Sequence, residues 1–145
     1  MISQTLTTSF KTQLLQGIHD FRTTGNVYKI ALYSSDATLN SSTTAYTTSG
    51  EIEANGYTAG GATLTNINPS AFGTTAIATF SAVSWASSTI TARGALIYNS
   101  DAVGYTNPSV VVLDFGLDRS SVGSTFAITF PTADYQYYVI QLAVS

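Results

Sequence analysis

Cysteine is absent from this chain, and histidine occurs once, at His19. Without thiols there is no disulfide to staple the fold and no thiolate to hold zinc or an iron–sulfur cluster, and the redox compartment is left open. Charge is scarce as well. Asp, Glu, Lys and Arg make up 9 % of the residues, against about 25 % in ordinary soluble domains. The basic residues Lys11, Arg22, Lys29, Arg93 and Arg119 are scattered and the net charge is −3, which argues against the clustered Lys and Arg that grip nucleic-acid phosphates. No apolar run is long enough to cross a bilayer, and Met1 to Phe10 lacks the basic start and apolar stretch of a signal peptide. The expectation is a soluble chain made in the cytoplasm, with neither nucleic acid nor membrane as a partner.

Hydroxyls take the place of charge, in runs such as Thr43-Thr44, Thr47-Thr48-Ser49, Ser87-Ser88-Thr89 and Ser120-Ser121. A surface of Thr, Ser, Ala and Tyr can pack against other proteins without desolvating many ions. With 145 residues and 44 % hydrophobic content, residues 1–145 fit a single domain that buries a core without a metal.

Phe10, Leu14, Leu15, Ile18 and Phe21 recur at helical spacing and predict one short helix over 10–21, with Thr8 or Ser9 as N-cap and Gly17 as a stop signal. The polar, uncharged residues 1–9 read either as an extended N-terminal arm that adds a strand to a neighbouring sheet edge or as a frayed terminus. From Val27 the pattern turns to β, with Tyr28, Ile30 and Leu32 on one face. Residues 38–61 are polar and rich in turn signals, predicting surface loops with a short strand at Glu51 to Ala54. Further strands are predicted at Ala76–Val83, Ser88–Tyr98, Ser109–Phe115, Ser124–Phe130 and Gln136–Val144. In the second of these, Ile90, Ala92, Leu96 and Tyr98 are placed on one side; in the third, Val111, Leu113 and Phe115. Many short strands and one short helix point to an all-β antiparallel β-sandwich, jelly-roll-like.

Catalytic vocabulary is thin. His19-Asp20 lacks a second histidine for a metal and reads as a capping or surface pair, and no Gly-x-Ser-x-Gly elbow is present. Glu51 and Glu53, two apart, project together from a strand and suit either a cation or paired acid–base work, although such pairs usually only wet a face. The glycine segment 56–61 lacks the lysine of a phosphate loop. Arg93 and Asp114 are expected to pair across the sheet, unless Asp118 and Arg119 pair locally. Trp85, Tyr98 and Tyr105 are either sugar-stacking rings or core. The residues therefore point to no enzyme, no cofactor and no metal site. The candidate interface residues are Phe10, Leu14, Leu15 and Ile18, on a helix that either caps the core or meets another subunit, together with Tyr57 and Trp85.

The segments Tyr28-Lys29-Ile30-Ala31-Leu32-Tyr33-Ser34-Ser35, Ala37-Thr38-Leu39-Asn40, Gly56-Tyr57-Thr58-Ala59-Gly60-Gly61, Ala92-Arg93-Gly94-Ala95-Leu96-Ile97-Tyr98-Asn99 and Val112-Leu113-Asp114-Phe115-Gly116 resemble a small virion structural protein of tailed bacteriophages. The resemblance runs from Phe10 to Phe130. It implies a capsid decoration, or cement, protein on the outer shell, assembled in the host cytoplasm and stabilising the expanded head by bridging subunits of the major capsid protein. A homo-oligomer, dimer or trimer, is then expected at the shell's symmetry axes. The alternative is a tail- or fibre-associated virion protein that binds a host surface glycan.

Overall fold

A computed structural model describes residues 1–131 and 139–143. In chain order its elements are β1 (Thr5–Leu6), α1 (Thr8–Leu15), β2 (Tyr28–Tyr33), β3 (Ala62–Thr63), β4 (Asn66–Phe72), β5 (Thr75–Phe80), β6 (Val83–Ser88), β7 (Thr91–Asn99), β8 (Ser109–Ser120), β9 (Ser124–Ile128) and β10 (Ile140–Leu142). Among the described residues the fold is mainly β, with one short helix, and the sheets are antiparallel and do not close into a barrel. Five strands form the principal sheet in the order β1-β8-β7-β2-β3, while β10-β5-β4 and β6-β9 form smaller sheets. Of the expected strand Gln136–Val144, only Ile140–Leu142 is seen to pair, with β5; residues 136–138 and 144 lie outside the described residues.

β2 is Tyr-Lys-Ile-Ala-Leu-Tyr, a run of β-branched, aromatic and aliphatic residues that suits a central strand. Tyr28, Ile30 and Leu32 face the larger apolar cluster, where they meet Phe10, Phe21, Phe80, Trp85 and Ile97. Ala31 and Tyr33 point the other way, into a second cluster with Ile2, Leu39, Leu96, Tyr98 and Val112. The centre of the principal sheet, β2 with the adjoining parts of β7 and β8, is thus buried on both faces. Residues 38–61, expected as surface loops, supply part of the second cover, with Leu39 fully buried and Tyr46 packed against that cluster. Each fully buried Leu, Ile or Phe contributes about 1.5–3 kcal/mol of transfer free energy.

The helix departs from expectation at both ends. The helix ends at Leu15, not at 21. Thr7, rather than Thr8 or Ser9, is the N-cap, its Oγ1 accepting from Phe10 N at 3.3 Å. At the other end Gly17 adopts a φ of +75°. Ile18 N then donates to Gln13 O at 3.0 Å and Gly17 N to Leu14 O at 3.1 Å, a Schellman closure that stops the helix. Phe21 reaches the core from the following loop and stacks on Tyr28 at 4.5 Å.

Residues 1–9, read as an arm or a frayed end, lie on their own chain. The Met1 ammonium donates to Ala37 O at 2.9 Å, Ile2 forms a parallel bridge with Leu39, and Thr5 and Leu6 pair with Val112 and Val111 of β8. The apolar Ile2 side chain is buried by this arrangement.

The face assignment in β7 also changes partway along. The register between β7 and β8 shifts between Ala92 and Gly94, and a bulge of this kind exchanges inward and outward side chains. Ile90 and Ala92 therefore belong to the larger cluster and Leu96 and Tyr98 to the smaller one, while Ala95 and Ile97 take over the first face.

Candidate interaction surface

The six residues singled out from the sequence do not gather on one surface. Phe10 and Trp85 are core residues, Trp85 being 8 % exposed with its ring edge-on to Phe126 at 6.0 Å. Neither presents a face to a partner. The burial follows from the helix closing over the larger cluster and from β6 pairing with β9. Tyr57 is half-buried and lies 6.0 Å from Trp85, so the structure does bring these two together. Leu14 and Ile18 are half-buried. Leu14 lines a largely apolar groove of about 410 Å3 with His19, Phe21, Ile77, Ile140 and Leu142. Leu15 alone among the six is fully presented to solvent, at 89 %.

Leu15 has neighbours that the sequence did not single out as a group. The Tyr105 hydroxyl donates to Gln16 Oε1 at 3.3 Å, which brings the loop carrying Val103 and Tyr105 beside the end of α1. Val103 is 86 % exposed and Tyr105 also stands out from the surface. This loop joins β7 to β8. At the opposite end of the same antiparallel pair, the turn into β9 presents Val122 at 80 % exposure, with Leu117 half exposed on β8. Apolar groups thus stand at both ends of the longest strand pair.

Glu51 organises the cover over the principal sheet. Its Oε1 accepts from the Tyr57 hydroxyl at 2.6 Å and from Gly60 N at 2.7 Å, and its Oε2 accepts from the Tyr46 hydroxyl at 2.6 Å. The Tyr57 oxygen in turn accepts from Leu32 N at 3.0 Å, and the Tyr98 hydroxyl donates to Gly60 O at 2.7 Å. Burial, and then the neighbouring Glu51 carboxylate, push the Tyr57 and Tyr46 hydroxyls well above the usual phenol range, and Tyr98 up to about 12. These hydroxyls stay protonated and donate. Both Glu51 oxygens are thus engaged within the chain, while Glu53 is exposed. Among the described residues no three His, Cys, Asp or Glu gather as a metal cluster.

His19 is not a surface cap. It is buried, its Nδ1 accepting from Asn99 Nδ2 at 3.1 Å, which leaves the ring proton on Nε2 to donate to Gln13 Oε1 at 2.9 Å. Desolvation lowers its pKa to about 4. Asp20 instead pairs with Arg22 at 2.6 Å, and that hydrogen bond holds its carboxyl at about 2.

Arg93 lies 3.8 Å from Asp114 and 3.3 Å from Asp118, so the expected cross-sheet pair is present and Asp118 joins it. Of the three rings weighed for sugar stacking, Trp85 and Tyr98 are buried and only Tyr105 is exposed. No helix among the described residues is long and apolar enough to cross a membrane. Comparison of the chain with protein-family models, with curated proteins and with solved structures finds no match.

Proposed function

We propose that this chain is a capsid decoration protein of a tailed bacteriophage, which binds the outer shell and bridges neighbouring copies of the major capsid protein. The observation that carries the reading is the placement of Val103 and Leu15 at one end of the β7–β8 pair and Val122 at the other. A bridging protein needs two contact regions separated by a stiff span. A principal sheet whose centre is buried on both faces stiffens that span, and a surface poor in charge keeps the cost of desolvation low at each contact. Contacts of this kind are individually weak and hold because shell symmetry repeats them. In this reading the strands form a jelly-roll-like sandwich, and the protein assembles on the shell as a dimer or trimer.

The test is the copy number of the chain relative to the major shell protein, by quantitative mass spectrometry of purified virions. A ratio that is a simple symmetric fraction supports decoration. A handful of copies per particle would move the protein to the tail, and absence from virions would dispose of the proposal. In a shell-binding assay, Val103→Asp and Val122→Asp are each expected to weaken binding while leaving the melting temperature of the isolated chain unchanged.

A further inference from the structure

The chain holds seven asparagines, and their surroundings set one apart. The Oδ1 atoms of Asn26, Asn40, Asn68 and Asn99 accept from the backbone N–H groups of Asp20, Ser42, Thr23 and Asp101, and Asn66 Nδ2 donates to the Arg22 and Asn26 carbonyls. Asn107 precedes Pro108, whose nitrogen carries no hydrogen. Asn55 is exposed and precedes Gly56, also exposed; among the described residues the Asn55 carboxamide makes no hydrogen bond and the Gly56 N–H donates to no acceptor. A nucleophilic nitrogen without a Cβ beside it thus stands next to an unrestrained side-chain carbonyl.

We propose that Asn55–Gly56 is a site of spontaneous covalent modification, at which the native chain converts its own asparagine into an isoaspartyl linkage and so releases Tyr57 from Glu51. The Gly56 nitrogen gives its proton to water and forms a bond to Cγ of Asn55. The Cγ–Nδ2 bond breaks, ammonia leaves, and a five-membered succinimide remains. Water then opens the ring. Opening at Cγ gives an aspartyl residue with the backbone unchanged. Opening at the main-chain carbonyl routes the backbone through Cβ and Cγ, one methylene longer, and leaves a new carboxylate. The net change consumes one water and releases one ammonia, with no oxidant or reductant. Asparagine is among the residues whose side chains limit the lifetime of proteins held warm.

The surroundings of the turn make the longer backbone consequential. Tyr57 N donates to Ala54 O at 3.1 Å across it, Thr89 N donates to Asn55 O at 2.9 Å, and a Cβ built on Gly56 would stand 2.8 Å from Ser88 Cα. A lengthened backbone has to shift or break these contacts. The extra length displaces Tyr57, whose hydroxyl is held by Glu51 and whose ring packs against Trp85, the only tryptophan.

The full chain is incubated in mildly alkaline buffer, beside the same chain in urea and the Asn55→Gln and Asn55→Asp variants. Peptide mapping with electron-transfer fragmentation and isoaspartyl methyltransferase labelling then locate the products. The expected result is replacement of NH by O at Asn55 ahead of the other six asparagines, isoaspartyl labelling that Asn55→Gln abolishes, and a red shift of Trp85 emission in the converted fraction. Asn55→Asp, which keeps the backbone length, leaves the emission in place. Labelling at Asn55 in urea but not in the native chain overturns the proposal, because the turn then protects the pair. Conversion with unchanged Trp85 emission overturns the release of Tyr57.

Discussion

The Tyr57 hydroxyl sits between Glu51 Oε1, to which it donates at 2.6 Å, and Leu32 N, from which it accepts at 3.0 Å. One phenol oxygen therefore ties the polar excursion between β2 and β3 to a central strand of the principal sheet. Removing it strands two partners at once. Tyr57→Phe is expected to cost about 1–3 kcal/mol, the usual penalty for buried polar groups left without a partner. Chemical denaturation of the variant measures this, and a change below about half a kcal/mol would mean that solvent already satisfies Glu51 and Leu32.

His19 gives the stability a pH dependence of definite sign. Its pKa is about 4 in the folded chain against 6.5 for the free side chain, so the unfolded chain binds more protons between these values. The contribution is fully present above pH 6.5 and is lost as pH falls toward 4, by at most about 3 kcal/mol. Asp20, lowered from 3.8 to about 2, titrates below that window. Thermal melts across the range should decline for the native chain and flatten for His19→Gln; parallel curves would place His19 in contact with water.

Phe10 and Leu15, five residues apart, occupy opposite environments, the first fully buried and the second exposed. Phe10→Ala should destabilise the isolated chain by about 3–5 kcal/mol, as deletion of a core aromatic does. Leu15→Ser should leave its melting temperature within experimental error. Equal effects in calorimetry would contradict the helix orientation.

Gly61 combines a φ of +78° with a close approach to the Ile30 carbonyl, where a Cβ would collide with backbone. Gly61→Ala is expected to destabilise by about 2 kcal/mol or more, through strain and displacement of β3 from β2. Denaturant titration checks it, and a neutral substitution would show that the 58–61 turn adapts freely.

Arg93 with Asp114 and Asp118 is a partly exposed trio, and such pairs are usually worth less than about 1 kcal/mol. A double-mutant cycle on Arg93 and Asp114 should return a small coupling that shrinks with added salt. A coupling unaffected by salt would mark a pair shielded from solvent.

The strands that read well from the sequence are those whose alternation is uninterrupted, β2 foremost, where Tyr28, Ile30 and Leu32 fall on the larger cluster as their spacing implies. β4 does not read as a strand because Pro69 and two asparagines lie in it; the structure places Pro69 at a register shift between Ile67 and Ser70, where the ladder tolerates it. β6 does not read as a strand of its own: nothing in Ser81-Ala82 signals a break, so Val83 reads as the end of one expected strand and Ser88 as the start of the next. The second face of the sheet was hidden for a different reason. Its cover comes from a polar stretch whose anchoring, Glu51 to Tyr46, Tyr57 and Gly60, uses hydrogen bonds that no periodicity records. The Gln13–His19–Asn99 chain spans 80 residues between its last two members and left no local trace. A usable signal was present for Glu51: a chain with nine tyrosines and little charge needs buried acceptors for their hydroxyls.

The two presented valines, Val103 and Val122, sit beyond opposite ends of β7 and β8, whose residues pair from Thr91 with Ser120 to Tyr98 with Ser109. Hydrogen bonds in an antiparallel ladder run perpendicular to the strands. Val103 and Val122 flank β8 in the chain, so tension between them runs along the covalent backbone of that strand, and the rungs that hold it in the sheet lie across the load and are not peeled one after another. Along this axis the protein behaves as a tie rod and not as a zip.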